Sequence, residues 1–186
     1  MTKPTRARMI DAAVDSLRRN GLAGMSFTEV LAESGAARGA IYHHFPSGKS
    51  ELVAEAARLH GQDVTLRMAE LAGPDPRAVV AAFLDFARPV MEDAALGSGC
   101  AIAAVTVRAG KDGDELCRVA ATTFAAWTDR LAAALTDAGM SPDAAADLAC
   151  LLISLLEGAQ VLCRAEGGTG PFDRAARAAL AAAPDA

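Results

Sequence analysis

Apolar positions recur along this chain every three or four residues and show no sustained alternation, a rhythm that predicts helices and no convincing strand. The first helix is expected from Thr5 to about Asn20, with Ile10, Ala13, Val14 and Leu17 on one face and Gly21 as its stop. Ser26-Phe27-Thr28-Glu29 then fits a capping box. Ser26 would accept from the Glu29 amide, Glu29 would reach back to the cap, and Met25 and Val30 would close a hydrophobic staple. The short helix it begins turns Phe27, Val30 and Leu31 one way and ends at Ser34-Gly35, where glycine supplies the positive φ that a tight inter-helix turn requires. A third helix is expected from about Arg38 to His44, with Ile41 and Phe45 inward and Arg38, Gly39, Tyr42 and His43 largely outward. Pro46 cannot extend it, and Ser47-Gly48-Lys49-Ser50 opens a long fourth helix to about Leu71.

The remainder reads as a helical bundle. A helix starts near Pro76, with Val79, Phe83, Phe86 and Val90 on its inner stripe. "GSGCAIAAVTVRAG" follows as a shorter apolar helix between glycines. A long helix from about Asp114 to Ala138 carries Leu116, Val119, Ala120, Phe124, Trp127, Leu131 and Leu135, and another opens at Ser141-Pro142 and runs to about Ala165. "PFDRAARAALAAA" closes the series, giving an all-α chain of about nine helices. Leu148 to Leu156, "LACLLISLL", is apolar around nearly its whole circumference, and a helix of that kind must be covered on all sides. A second subunit is the natural cover.

Composition changes this picture in one respect. The net charge of −5 argues against a nucleic-acid binder until it is divided along the chain: residues 1 to 60 hold eight Lys/Arg against six Asp/Glu, while residues 61 to 186 hold ten against seventeen. A locally basic face can therefore bind phosphates while an acidic remainder stays off other polyanions. No apolar stretch near the start resembles a secretory signal, and the run from Leu148 to Leu156 is far shorter than the roughly 18 to 20 residues that cross a bilayer. A soluble cytoplasmic protein without membrane contact is expected. Cysteines 100, 117, 150 and 163 form no CxxC pair, so neither a zinc knuckle nor a redox motif is supported.

Two of the three histidines stand together in "IYHHF". A metal site would need ligands three or four apart on a helix, whereas neighbours project about 100° apart, so no metal or other cofactor is expected. Enzyme signatures are missing as well. All histidines precede residue 61, which rules out the Glu-x-x-His pairs of a di-iron bundle, and no G-x-S-x-G or phosphate-loop motif occurs. The pattern of helix, short helix, glycine turn and short exposed helix is instead a helix-turn-helix. Small residues Ala37, Gly39 and Ala40 allow close approach to a major groove, and Arg38 can pair with a guanine edge. Tyr42, His43 and His44 offer donors at phosphate height, and Thr28 and Lys49 lie in the first turns of the second and fourth helices, which attract anions.

Residues 5 to about 60 resemble the DNA-binding domain of TetR-family transcriptional regulators, through "RMIDAAVDSLRRNGLAGMSFTEVLAESGAARGAIYHHFPSGKSELV". The resemblance implies a DNA-binding domain over residues 1–48 and a ligand-binding and dimerisation domain over 49–186. It also implies a homodimer whose recognition helices enter successive major grooves of a double-stranded operator. Carried over by position, Ala37 lies at the start of the recognition helix, Arg38 and Gly39 where the family contacts bases, Tyr42, His43 and His44 where it contacts backbone, and Thr28 and Lys49 where it holds phosphates. Many members carry Ser or Thr where this chain has Ala37, and loss of such a cap costs about 0.5 to 2 kcal/mol. Family relatives dimerise through their last two helices, here about 142–165 and 172–183, and enclose a small hydrophobic effector in the bundle. Phe83, Phe86, Met91, Phe124, Trp127 and Leu131 are the candidate lining, although apolar stripes serve a filled core equally well. "GSGCAIAAV" is similar to the LmrA/YxaF-like branch. The implied function is a repressor released by its effector; the other readings are a constitutive binder with a purely structural bundle and, more remotely, an all-α enzyme.

Overall fold

The computed structural model describes residues 3–106 and 113–184, and over these the chain is helical throughout. The elements are α1 (Thr5–Gly24), α2 (Phe27–Ser34), α3 (Ala40–His44), α4 (Lys49–Met68), α5 (Pro76–Ala95), α6 (Ala101–Ala104), α7 (Gly113–Asp137), α8 (Pro142–Glu166) and α9 (Gly170–Ala182). They group into two compact units. One comprises residues up to Gln62 with Gly99–Thr123; the other comprises Asp63–Ser98 with the chain from Phe124 onward. α4 and α7 each contribute residues to both.

In the first unit α1 packs on α2 and α6, around a core that includes Met9, Ala13, Leu17, Met25, Val30, Ile41, Phe45, Leu52 and Val53. Gly21 interrupts α1 as its position predicts, with φ 66° and ψ −179°. Ser26 caps α2 by accepting from the Glu29 amide at 3.2 Å, and Gly35 closes it at φ 63° while the Ala36 amide donates to the Leu31 carbonyl. The Glu29 carboxylate departs from the capping-box expectation. It accepts from Ser16 Oγ at 2.9 Å and Asn20 Nδ2 at 2.8 Å, both on α1, because α1 lies close enough to offer donors that a solvated helix start would lack. Arg8 of α1 donates to the Ser34 carbonyl at 2.8 Å, a cation at the carbonyl end of α2. One helix thus grips both ends of the next.

The second unit packs α5, α8 and α9 against one another. Asp75 caps α5 by accepting from the Ala78 amide at 2.8 Å, with Pro76 in the first turn. The buried stripe of α5 is Val79, Val80, Phe83, Leu84, Ala87 and Met91; Phe86 and Val90, expected inside, are only half-buried. The arc is rotated by about one position: 80, 84, 87 and 91 have the same helical spacing as 79, 83, 86 and 90, so periodicity does not choose between the two arcs and packing against the neighbouring helices does. On α7, Trp127, Leu131 and Leu135 are buried and Phe124 half-buried. α6 is shorter than its apolar stretch suggested, ending at Ala104, and residues 107–110 of that stretch lie outside the described residues.

α8 buries Ala145, Ala149, Leu152, Ile153, Leu156 and Cys163 on one side. Its other side exposes Leu151, Val161 and Leu162 at 56, 55 and 58%. Over its 25 residues it is long and apolar enough to cross a membrane by length and composition, a wider property than the run from Leu148 to Leu156 conveyed. The core helix of a globular bundle has the same composition.

Candidate nucleic-acid interface

α3 is only five residues long, one turn too short to stand alone, since helix nucleation is unfavourable and a helix of this length gains few hydrogen bonds. Two side chains anchor it. Ile41 is buried, and so is Phe45 immediately after the helix, its ring lying 5.2 Å from the Arg6 guanidinium. Arg38 and Gly39 form the turn that leads into α3, with the Ala40 amide donating to the Ala37 carbonyl at 2.9 Å. The helix begins two residues later than its pattern suggested, consistent with Ala37 offering no capping side chain.

The other face is presented outward. Ala37, Arg38, Gly39 and His43 are exposed, as is Thr28 near the start of α2, and Tyr42 is 68% exposed. His44, expected to face out, is half-buried, with its ring edge-on to His43 at 4.8 Å between centroids. Phe27 was read from the sequence as part of the inward side of α2, but it is half-buried and meets the Tyr42 ring edge-on at 6.5 Å. It supports the tyrosine from α2. Sequence spacing gives no sign of this, because the two residues belong to different helices. Among the described residues no cluster of His, Cys, Asp and Glu could hold a metal ion.

The electrostatics of the face are decided by which cations are already engaged. Of the eight Lys/Arg before residue 61, Lys3 pairs with Asp11 at 2.8 Å, Arg6 with Glu55 at 2.8 Å, Arg58 with Glu55 at 2.7 Å, and Arg19 with Glu33. Arg8 and Arg18 donate to backbone carbonyls, of Ser34 and Gly99 respectively. Lys49, expected to hold a phosphate, directs its Nζ onto the carbonyls of Met25 at 2.6 Å and Leu22 at 3.2 Å. Only the Arg38 guanidinium has no hydrogen-bond or ion-pair partner among the described residues. Glu55 illustrates the internal pairing. Burial pushes its carboxyl up, but hydrogen bonds from Arg6 and Arg58, with their charges, outweigh this and hold it below the ordinary 4.5.

The candidate effector-site residues all belong to the second unit. Phe83 and Met91 share the buried stripe of α5, Leu131 is buried on α7, and Phe124 and Trp127 meet edge-on at 5.4 Å. Phe86 is turned to the Arg67 guanidinium, 5.5 Å from its ring centroid.

Comparison with known proteins agrees with this architecture. Residues 9–56 match the model of bacterial regulatory proteins of the tetR family, and residues 76–178 match that of the C-terminal domain of LmrA/YxaF-like transcriptional regulators. An HTH-type transcriptional regulator of Mycobacterium tuberculosis is 35% identical over 173 residues, covering 90% of this chain and 88% of its own. The HTH-type transcriptional regulator YxaF of Bacillus subtilis is 24% identical over 160 residues, 85% of this chain and 84% of its own. In fold, the crystal structure of a TetR transcriptional regulator from Legionella pneumophila superposes with a TM-score of 0.83 over 98% of this chain and 99% of its own, at 17% identity. Helices, glycine turn, exposed recognition face and both family matches lead to one conclusion: the chain belongs to the TetR family of transcriptional regulators, with a helix-turn-helix DNA-binding region and an LmrA/YxaF-like C-terminal domain.

Proposed function

We propose that the chain acts as a homodimeric repressor that binds a pseudo-palindromic operator and releases it when a small, mainly hydrophobic effector enters the C-terminal bundle. The observation that carries the DNA-binding half is Arg38. It is the one cation before residue 61 left unpartnered among the described residues, and it stands on an exposed turn flanked by Ala37 and Gly39, which permit close approach to a groove. In this reading Arg38 and Gly39 meet base edges and Ala37 lies against them, while Tyr42, His43, His44 and Thr28 meet the sugar-phosphate backbone. Function divides near residue 48, with DNA contacts before it and effector and dimer contacts after.

Dimerisation is supported by α8. Leu151, Ser154, Gly158, Val161, Leu162 and Ala165 are exposed at helical spacing along one side, and an apolar stripe of this length is a poor solvent face. With α9 it forms the interface, placing the recognition helices about one DNA turn, roughly 34 to 36 Å, apart. The effector reading rests on Phe83, Phe86, Met91, Phe124, Trp127 and Leu131. A mainly apolar ligand suits side chains of this kind. Release follows if the ligand prefers a geometry of the dimer that spaces the recognition helices wrongly.

Binding of a labelled duplex from upstream of the protein's own or adjacent genes is the test. Affinity should fall steeply with salt, and footprinting should reveal two half-sites related by a two-fold axis. Absence of salt-dependent binding would overturn the reading. A thermal-shift screen then separates a ligand-responsive dimer, whose melting temperature rises with an effector, from a constitutive binder that responds to no ligand class.

A further inference from the structure

The exposed side of α8 carries a chemical order as well as an apolar stripe. Asp143 and Asp147 stand near its start, Leu151, Ser154, Gly158 and Val161 along its middle, and Arg164 near its end. None of the three charged side chains has a hydrogen-bond or ion-pair partner among the described residues. The helix macrodipole accounts for an acid in the first turn and a base in the last, but Asp147 lies a turn further in. Gly158 is equally unaccounted for within the chain. Its φ is not positive and a Cβ built on it would meet nothing within 4 Å, although glycine in a helix interior is less favourable than alanine.

Two copies related by a two-fold axis meet so that when residue i faces residue j, j also faces i. A parallel arrangement of α8 with a second copy would set carboxylate against carboxylate and guanidinium against guanidinium. An antiparallel arrangement joins the acidic start of each helix to the basic end of the other, and chemistry then selects the register. With the axis at the level of Leu156, Asp147 reaches Arg164 of the partner subunit, Cys150 faces the partner's Leu162, Leu151 faces the partner's Val161, and Ser154 faces the partner's Gly158. Acid meets base, apolar meets apolar, and small meets small. Shifting the axis to the level of Ser154 would set Asp147 against the partner's Val161 and Leu151 against the partner's Glu157. We infer that α8 packs antiparallel against its own copy with the two-fold axis at the level of Leu156, crossing at Ser154 and Gly158 and closed at each end by an Asp147–Arg164 pair. Without a side chain at Gly158 the two backbones can approach where they cross. The inference rests on the homodimer reading and adds the register to it. A wild-type protein that sediments as a monomer at micromolar concentration defeats that reading and the register with it; a dimer lacking the contacts below defeats the register alone.

Cys150 is exposed and supplies a native reporter. Leu162→Cys, oxidised with diamide and run on a non-reducing gel, should link the two subunits, and the link should disappear when Cys150→Ser is added. Wild type should not link through Cys150, because its two copies would stand about 18 Å apart along the helices. A wild-type link that Cys150→Ser abolishes, a Leu162→Cys link that survives Cys150→Ser, or no link in a Leu162→Cys protein that remains dimeric would each overturn the register. The charge pairs give a second measurement. Asp147→Arg and Arg164→Asp should each weaken dimerisation about tenfold in sedimentation equilibrium, and combining them in one chain should restore most of it, because the exchanged pair forms again across the axis. Single variants without effect, or effects that simply add in the double variant, would overturn the inference.

Discussion

The five residues of α3 and the twenty-five of α8 are held in place by different forces. α3 has almost no stability of its own; it exists because Ile41 and Phe45 are buried beneath it, Gly35 turns the chain toward it, and neighbouring helices grip the segment that carries it. Its outward side is polar and small, with an unpartnered guanidinium at its edge. α8 is long enough and apolar enough to persist by burial alone, and what it lacks is a cover for one side. A surface that reads a polyanion must therefore be built from charge left unneutralised and from short elements fixed by their neighbours. The surface proposed to bind a second copy is made instead from apolar area left uncovered. The two faces differ in what the chain's own side chains leave unmatched, charge in one and apolar area in the other.

The contrast can be broken most sharply at Phe45. Phe45→Ala empties the base of α3 and removes the ring that faces Arg6, so chemical denaturation should report a loss of about 3 to 5 kcal/mol. DNA binding should vanish with it, while α8 keeps its helical signal in hydrogen exchange. A next-largest effect is expected on the apolar stripe. Combining Leu151→Glu with Leu162→Glu should weaken dimerisation about a hundredfold or more in sedimentation equilibrium, with little change in helix content, since both side chains are already exposed in the single chain. If the double variant sediments like the wild type, the interface lies elsewhere.

Arg38→Ala sharpens the other side of the comparison. It should cost about 1 to 3 kcal/mol at one base position and relax preference there, leaving stability nearly unchanged because no intramolecular pair is lost. Loss of folding stability in this variant would show that the guanidinium has a structural partner. The smallest effect is expected from pH. Glu55 is held below its ordinary 4.5, so its contribution to stability is complete above that value and disappears as pH falls through the lower folded-state value. The carboxylate is half-buried, but its partners Arg6 and Arg58 are open to solvent, which screens the pairs, so the effect should be about 1 kcal/mol or less. A denaturant titration at pH 3 and pH 6, compared with Glu55→Gln, isolates it.

Much of the N-terminal architecture was legible beforehand. The Ser26 cap, the Gly21 break, the Gly35 turn and the inward pair Ile41 and Phe45 are all found where spacing placed them. The site itself was less legible. Phe27 beneath Tyr42, His44 half-buried, and Lys49 turned onto carbonyls each depend on a neighbour from another helix. The same holds in the bundle, where the inner arc of α5 lies to one side of Phe86.

By itself, then, the sequence determined which segments are helices, where most of them begin, and which short segment belongs to the helix-turn-helix pattern. These follow from interactions within about four residues, where cap side chains, glycine φ angles and the 3.6-residue repeat leave a direct mark. Only the tertiary structure decided which charges are already engaged. Glu29 turns to Ser16 and Asn20 instead of its own cap, Lys49 crosses 24 residues to Met25, Arg6 crosses 49 to Glu55, and Arg38 is left over. Pairings at that separation are fixed by how helices pack, and no local pattern encodes the distance between two side chains that meet only after the core has formed.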